Sequence, residues 1–417
     1  MTPPLADGTT LVHIGPYKTG TTAMQGALWA ARPALAEHGV SYPGELAHEM
    51  NASMAVALGR VDPGKDLDAY RQRWFDLVAQ LHAERPRIGV LSSEVYCEAT
   101  DEGARTVLDA LGPRAHVVIT VRPIVRLLGS QWQQYGQNVP VPPYDAWLRA
   151  ILDPAAVGAP DGPAGTEGVT PSFWQRHRHD LLVERWVGLV GGDRVTVVVV
   201  DDRDHRGLPA AFESLLGLPD GLLRPPVDKT NRSLTHPEAT LMQTLVERTS
   251  RAPWSSADHG RFIRFGAARG LQAAAPDPAA ERLLTPGWAI DRALEVGAGM
   301  ATRIGASGAR VVGDLGLLSD RALAPAEGEN VPVATIDPAA AAALAVGIIT
   351  KLTGVHPRPE HRELAGAVER AAWSRHRAVA EEWDAARDRD RARANAAREL
   401  VRRVRRRLTG IPTSSAD

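Results

Sequence analysis

Short apolar runs alternate with amphipathic stretches through the first half of the chain. Residues 11–14, 40–42, 88–92, 116–121 and 194–200 are runs of strand length, rich in Val and Ile and continuous rather than alternating with polar residues. Between them, 21–37, 67–84, 102–111, 124–137 and 173–190 read as helices. Strand–helix alternation with strands this apolar predicts an α/β fold, a mostly parallel central sheet flanked by helices on both faces. Ligands of such sheets bind beyond the carboxyl ends of the strands. Residues 139–172 are rich in Pro, Gly and Ala and are expected to form a long substrate-facing lid. Beyond 250 the pattern loosens: 251–300 reads as helical, 310–314 as a short strand and turn, 338–352 as a helix, and 360–408 as solvated, charged helix. The organisation expected is an α/β core over 1–250 and a mainly helical C-terminal region over 251–417.

The chain has 417 residues, 44% of them hydrophobic and 23% charged, which suits a globular protein with a sizeable core. A net charge of −1 gives no reason to expect nucleic acid as a partner. Cys97 is the single cysteine, so an internal disulfide and a cysteine-based metal cluster are excluded. The first residues lack a basic segment followed by an apolar one, and 339–350 is too short to span a bilayer, so a cytoplasmic location is expected. The final basic run, Arg402-Arg403-Val404-Arg405-Arg406-Arg407, reads either as cations favourably placed at a helix C-terminus or as a peripheral contact with an anionic membrane surface. Oligomeric state is not legible.

The chemistry is concentrated in His13-Ile14-Gly15-Pro16-Tyr17-Lys18-Thr19-Gly20-Thr21-Thr22. This segment joins the first apolar run to the first helical stretch, an arrangement in which backbone N–H groups and a helix dipole converge on a phosphate. Gly15 and Gly20 stand five apart, as in a Walker A loop, but Thr21 occupies the Walker lysine position and the lysine is Lys18, inside the loop. A second constellation ends the fourth run: Arg122-Pro123, with Ser130 eight residues after Arg122 on the next helical stretch. Arg122 can present a fork of donors to a phosphate, and Pro123 suits a helix start.

Lys-Thr-Gly-Thr-Thr after the first strand, together with Arg122-Pro123 and Ser130, resembles the two phosphate sites of sulfotransferases that use 3′-phosphoadenosine 5′-phosphosulfate (PAPS). The resemblance covers roughly residues 9–250 and implies a P-loop-like sulfotransferase fold of bacterial type, with the C-terminal third outside it. It implies that Gly15, Lys18, Thr19, Gly20, Thr21 and Thr22 hold the 5′-phosphosulfate through amides and threonine hydroxyls, and that Lys18 stabilises the leaving phosphate. Arg122 and Ser130 would hold the 3′-phosphate, with no metal required. Asp228-Lys229-Thr230-Asn231-Arg232-Ser233 is similar to the late loop that closes over the nucleotide, with Lys229 and Arg232 as its ligands. The usual glycine is missing there, and a solvated basic turn is the equal alternative. The acceptor expected is a hydroxyl or amine of a glycan, glycolipid or small metabolite, and the product nucleotide is 3′-phosphoadenosine 5′-phosphate (PAP). Two other readings stay open: a P-loop kinase or NTPase, with Asp201-Asp202 as the strand-end carboxylates, and an inactive member of the fold used as a binding module.

The general base is open between His48, Glu45 and Glu94. Glu45 and His48 follow the second strand, where relatives carry a catalytic glutamate, and Glu94 closes the third strand at the ligand-binding edge. His48 would titrate near working pH. His13, on the first strand, is expected in the core, as is Trp132. Tyr135 could border the acceptor, and Tyr17 either touches ligand or packs the loop down.

Overall fold

In a computed structural model of the chain the described residues are 3–158, 172–225, 232–252 and 254–354. A six-stranded sheet is built from β1 (Thr9–Ile14), β2 (Val40–Ser41), β3 (Ile88–Ser92), β4 (Ala115–Val121), β5 (Val195–Val199) and β6 (Arg310–Val312). The order across it is β2-β3-β1-β4-β5-β6, and every neighbouring pair is parallel. The continuous apolar runs have a simple cause: both faces are covered. In β4, Val117, Ile119 and Val121 join one apolar cluster with Val12, Ile14, Val195 and Val197. Val118 points the other way, into a cluster with Leu11, Ile88, Val90 and Val198. Since β3 and β4 flank β1 on opposite sides, the chain winds in both directions from β1. In sheets of this kind ligands bind at that switch point, beyond the carboxyl end of β1.

The helical stretch expected over 21–37 is two helices, Thr21–Ala30 and Arg32–Glu37, because Pro33 starts a new helix more readily than it continues an old one. The helix Leu67–Glu84 has the predicted bounds, and the Asp66 carboxylate caps it by accepting from the Asp68 and Ala69 amides.

The segment expected as a lid differs. Residues 144–152 form the helix Tyr144–Leu152, whose Tyr144, Trp147, Leu148 and Ile151 lie buried among Trp132, Tyr135, Ile290 and other apolar side chains. Their i, i+3, i+4, i+7 spacing is a helical stripe that the surrounding Pro, Gly and Ala obscured. Residues 159–171 lie outside the described residues.

The core also runs past 250. β6 adds to the sheet by pairing with β5, and the helix Gly287–Ala306 buries Ile290, Ala293, Met300 and Ile304. The first compact unit is accordingly Met1–Leu352, in place of a core ending near 250, because residues far downstream complete the sheet edge and cover one face. A second unit begins at Thr353, and 355–417, with the basic run 402–407, lies outside the described residues. Among the described residues no helix is long and apolar enough to cross a membrane.

Candidate functional site

Strand register puts three polar residues under the Gly15–Gly20 loop. His13 is level with Ser92 on β3, and Thr120 lies one step beyond the Ile14–Ile119 pair. His13 Nδ1 is 2.8 Å from Ser92 Oγ, His13 Nε2 is 3.4 Å from Thr120 Oγ1, and Thr120 Oγ1 is 2.8 Å from Thr19 Oγ1. Thr19 donates to the Pro16 carbonyl at 2.7 Å, so it accepts from Thr120, which in turn accepts from His13 Nε2–H. Burial pulls His13 down to about 3 and keeps it neutral, with its ring edge-on to Phe212. Thr21 Oγ1 donates to the Gly15 carbonyl at 2.8 Å. The Thr19 and Thr21 hydroxyls therefore brace the loop from inside, which corrects the expectation that they face a ligand; the exposed Thr22 is free of that role. Gly15 is fixed by the same packing. A Cβ there would lie 1.9 Å from Thr21 Oγ1 and 2.9 Å from both His13 Nε2 and Thr120 Oγ1.

The loop turns by placing Lys18 at φ 68° and Gly20 at φ 93°. The left-handed conformation costs a side-chain-bearing residue on the order of 1–2 kcal/mol, so Lys18 must be held there. Arg122 does so, donating from Nη1 to the Lys18 carbonyl at 2.8 Å. Beyond Gly20 no side chain caps the helix Thr21–Ala30, which leaves its first-turn N–H groups and positive dipole end for an anion. The Lys18 residue is exposed, while the groups packed around it limit its hydration. Withdrawal from water, and then the guanidinium groups of Arg122, Arg264 and Arg269, pull its pKa down to about 8. It stays mostly protonated at neutral pH. Among the described residues no carboxylate pairs with it. The site thus offers uncapped helix-start amides and a lysine to an anion.

Arg122 makes a second contact, donating from Nη2 to Asp202 Oδ2 at 2.6 Å, and Arg126 Nε donates to the same oxygen at 2.7 Å. Partial burial would raise the Asp202 pKa, but the two arginines overcome this and hold it below the usual carboxylate range. Asp202 thus orients two guanidinium groups, and Asp201 pairs with Arg203 instead. Ser130 is half-buried on the helix Ile124–Tyr135 and donates to the Leu127 carbonyl at 3.0 Å.

Arg232, expected at the nucleotide, is committed elsewhere. Nε donates to the Ala274 carbonyl, Nη1 to the Ser233 carbonyl and Glu238, and Nη2 to Glu238 and the Leu271 carbonyl. A guanidinium has five N–H donors, and all five have protein acceptors. Arg232 is a tie between the helices His236–Thr249 and Arg269–Ala273. Lys229 lies outside the described residues.

Of the candidate bases, the fold brings two together. His48 Nε2 is 2.9 Å from Ser93 Oγ and 3.5 Å from Glu94 Oε2, and Gln25 on the loop's own helix donates to Glu94 Oε2 at 3.2 Å. Burial lowers the His48 pKa below the ordinary imidazole value, and Glu94 and Glu49 offset this in part. Glu45 is separated from them: its carboxylate is 82% exposed and faces Arg73. Tyr17 packs the loop down, its ring 4.3 Å beneath the Arg176 guanidinium, and Arg176 is itself bonded to Glu98. Tyr135, considered for the acceptor side, is buried against Trp147 in the helical cluster.

Sequence reasoning missed Thr120, Asp202 in its arginine-holding role, and Arg264 and Arg269. Thr120 had a signal, a polar residue at the ligand end of an apolar strand. The two distant arginines had none.

No family model matches the chain, and no curated protein does. Among solved structures the chain is similar to a sulfotransferase from Alicyclobacillus acidocaldarius, with 16% identity over 57% of this chain and 96% of that one. The TM-score is 0.35, and a superposition that loose carries no weight for fold or function.

Proposed function

We propose that the chain is a PAPS-dependent sulfotransferase of P-loop-like fold, acting on a hydroxyl or amine of a glycan, glycolipid or small metabolite. The observation that carries this reading is the Gly15–Gly20 loop, with an uncapped helix end and a carboxylate-free lysine set inside the turn rather than after it. PAPS, when bound, supplies a sulfuryl group whose transfer leaves negative charge on the departing phosphate. The first-turn amides and Lys18 would hold that phosphate, with Lys18 countering the charge that develops on it. Arg122, oriented by Asp202, would meet the 3′-phosphate with Ser130. His48 would take the acceptor proton: with hydrogen on Nε2, it donates to Ser93 and leaves Nδ1 as the basic nitrogen. Glu94 then keeps that ring oriented, and burial keeps it neutral and able to accept.

Calorimetric binding of PAP, 5′-AMP and ATP with Mg²⁺ tests the reading. Tight metal-independent binding that needs the 3′-phosphate is expected, weakened at least tenfold in Arg122→Ala. Lys18→Ala should lower turnover about 100–1,000-fold, the usual cost of one preorganised charge-stabilising group. Preference for ATP with Mg²⁺ would overturn the proposal in favour of a kinase or NTPase.

A further inference from the structure

The helix Pro338–Thr353 is apolar on both its faces, and among the described residues only one of them is covered. Its inner face fits against Gly260–Ala268, which is wound as a π-helix, and against the helix Arg269–Ala273. A Cβ on Gly347 would lie 2.2 Å from the Gly266 carbonyl oxygen, and one on Gly270 would lie 2.3 Å from that of Ala343, so the backbones touch there. Leu344, beside this contact, is buried in the helical core cluster. At the helix end Arg261 donates from Nε and Nη2 to the Lys351 carbonyl at 3.0 and 2.7 Å, satisfying a carbonyl of the last turn. At 3.6 residues per turn, Ala341, Ala342, Ala345 and Leu352 fall opposite Ala343 and Gly347, with Val346 on the flank; all five are exposed.

The apolar surface continues onto the π-wound segment. The Arg261 guanidinium, which meets the helix end, is 5.5 Å from the centre of the Phe262 ring, and Phe262 stands edge-on to Trp254 at 5.9 Å. Phe265 lies one turn beyond Arg261 and next to the Gly266–Gly347 contact. Trp254, Phe265, Val346 and Leu352 are 42%, 46%, 45% and 55% exposed, half of the eight large hydrophobic side chains that stand exposed among the described residues. Such gathering marks an interaction surface. The charge around it has one sign. Residues 251–274 hold four arginines against one carboxylate, Asp258, which accepts from the Ser255 amide and hydroxyl, in a chain whose net charge is −1. Arg261 takes a carbonyl as its partner and Arg264 a phenyl ring, 5.2 Å away, so both keep their charge unneutralised by these contacts.

We propose that this surface docks the protein on an anionic lipid bilayer, with Trp254, Phe265 and Leu352 seated among the headgroups and Arg251, Arg264 and Lys351 meeting lipid phosphates. Apolar side chains gain by leaving water, tryptophan settles at headgroup level, and long basic side chains reach outward to anionic groups. A second copy of the chain would set these arginines against their own counterparts across a two-fold axis, whereas an anionic surface turns the same charge into attraction. The proposal does not depend on the sulfotransferase reading.

The test sediments the full chain with sucrose-loaded vesicles, either of phosphatidylcholine alone or of equal parts phosphatidylcholine and phosphatidylglycerol. Binding should be at least tenfold tighter to the mixed vesicles. Trp254→Ser/Phe265→Ser and Arg251→Gln/Arg264→Gln should each weaken it at least fivefold, about one arginine's attraction to an anionic surface, with the urea midpoint unchanged because all four side chains are exposed. The basic run 402–407 is a separate route to such a surface, so both variants are repeated in a full-length protein with its five arginines replaced by glutamine, where the same loss is expected. An environment-sensitive fluorophore on Phe265→Cys, selective because Cys97 is buried, should shift to the blue on the mixed vesicles. Equal binding to both vesicles, binding indifferent to the Trp254 and Phe265 substitutions, or a fluorophore that stays in water would overturn the proposal. Loss of all binding on replacing the 402–407 arginines would give the contact to that run. Self-association abolished by Trp254→Ser/Phe265→Ser, without vesicle binding, would give the face to a second copy.

Discussion

Gly15→Ala should unmake the loop from beneath. Gly15 does not have positive φ, so alanine meets no backbone penalty there and the cost is one of space. The new methyl would lie 1.9 Å from Thr21 Oγ1, which is buried and donates to the Gly15 carbonyl at 2.8 Å. Thr21 cannot stay. Its displacement forfeits a buried hydrogen bond, worth about 0.5–1.5 kcal/mol net. The His13 ring and Thr120, each 2.9 Å from the methyl, have no space behind them, and overpacking of this kind costs about 1–3 kcal/mol. The sum is roughly 1.5–4.5 kcal/mol. Urea unfolding followed by tryptophan fluorescence would measure it, and PAP affinity should fall at least tenfold as the amides shift. Thr21→Ala removes the closest atom, so Gly15→Ala in that background should cost at least about 1 kcal/mol less, a coupling expected of residues in contact. Wild-type stability in Gly15→Ala, or the same cost in both backgrounds, would refute the packing argument.

Lys18, with its pKa pulled down to about 8, is charged below that pH and neutral above it. PAP affinity should therefore weaken as pH rises through and beyond 8, and Lys18→Arg should remove the inflection; a flat profile from pH 7 to 9.5 would count against it. His13, His177 and His179 are fully buried and burial holds all three below the ordinary imidazole value, His179 at about 4. The unfolded chain binds their protons first, so their stabilisation is complete above about pH 6.5 and is lost as pH falls toward 4. Each contributes a slope of up to about 1.4 kcal/mol per pH unit, and urea midpoints that do not move between pH 7 and 4.5 would contradict this. Arg232→Gln strips a nearly buried Glu238 of its cation and three carbonyls of donors, and should cost about 2–4 kcal/mol in urea unfolding. PAP affinity should stay within twofold, because this arginine has no donor left for a nucleotide.

The strand–turn–helix geometry of the candidate site was legible because its parts are local. A strand, a six-residue turn and a helix suffice to aim amides at an anion, and all three are written in consecutive residues from Thr9 to Ala30. The same holds for Arg122 at the end of β4. Hydroxyl direction was not legible. Whether Thr19 and Thr21 face a ligand or the interior depends on Thr120 and the Gly15 carbonyl, and Thr120 arrives through strand register across about a hundred residues. Arg232 read as a ligand because its acceptors, Leu271 and Ala274, are distant in the chain. The helix Tyr144–Leu152 was hidden by composition, although its apolar stripe was present.

The sequence by itself determined the layer architecture, since apolar runs buried on both faces leave a parallel sheet as the way to satisfy both their backbone and their side chains. It also determined the Gly15–Gly20 turn, because glycine spacing and helix start are short-range properties of the backbone. Only the tertiary structure decided which polar groups are available. It joined His48 to Glu94, left Glu45 with Arg73, and set Asp202 under two arginines. A side chain's availability depends on which acceptors and like charges the fold carries to it, and those come from residues that local pattern does not connect.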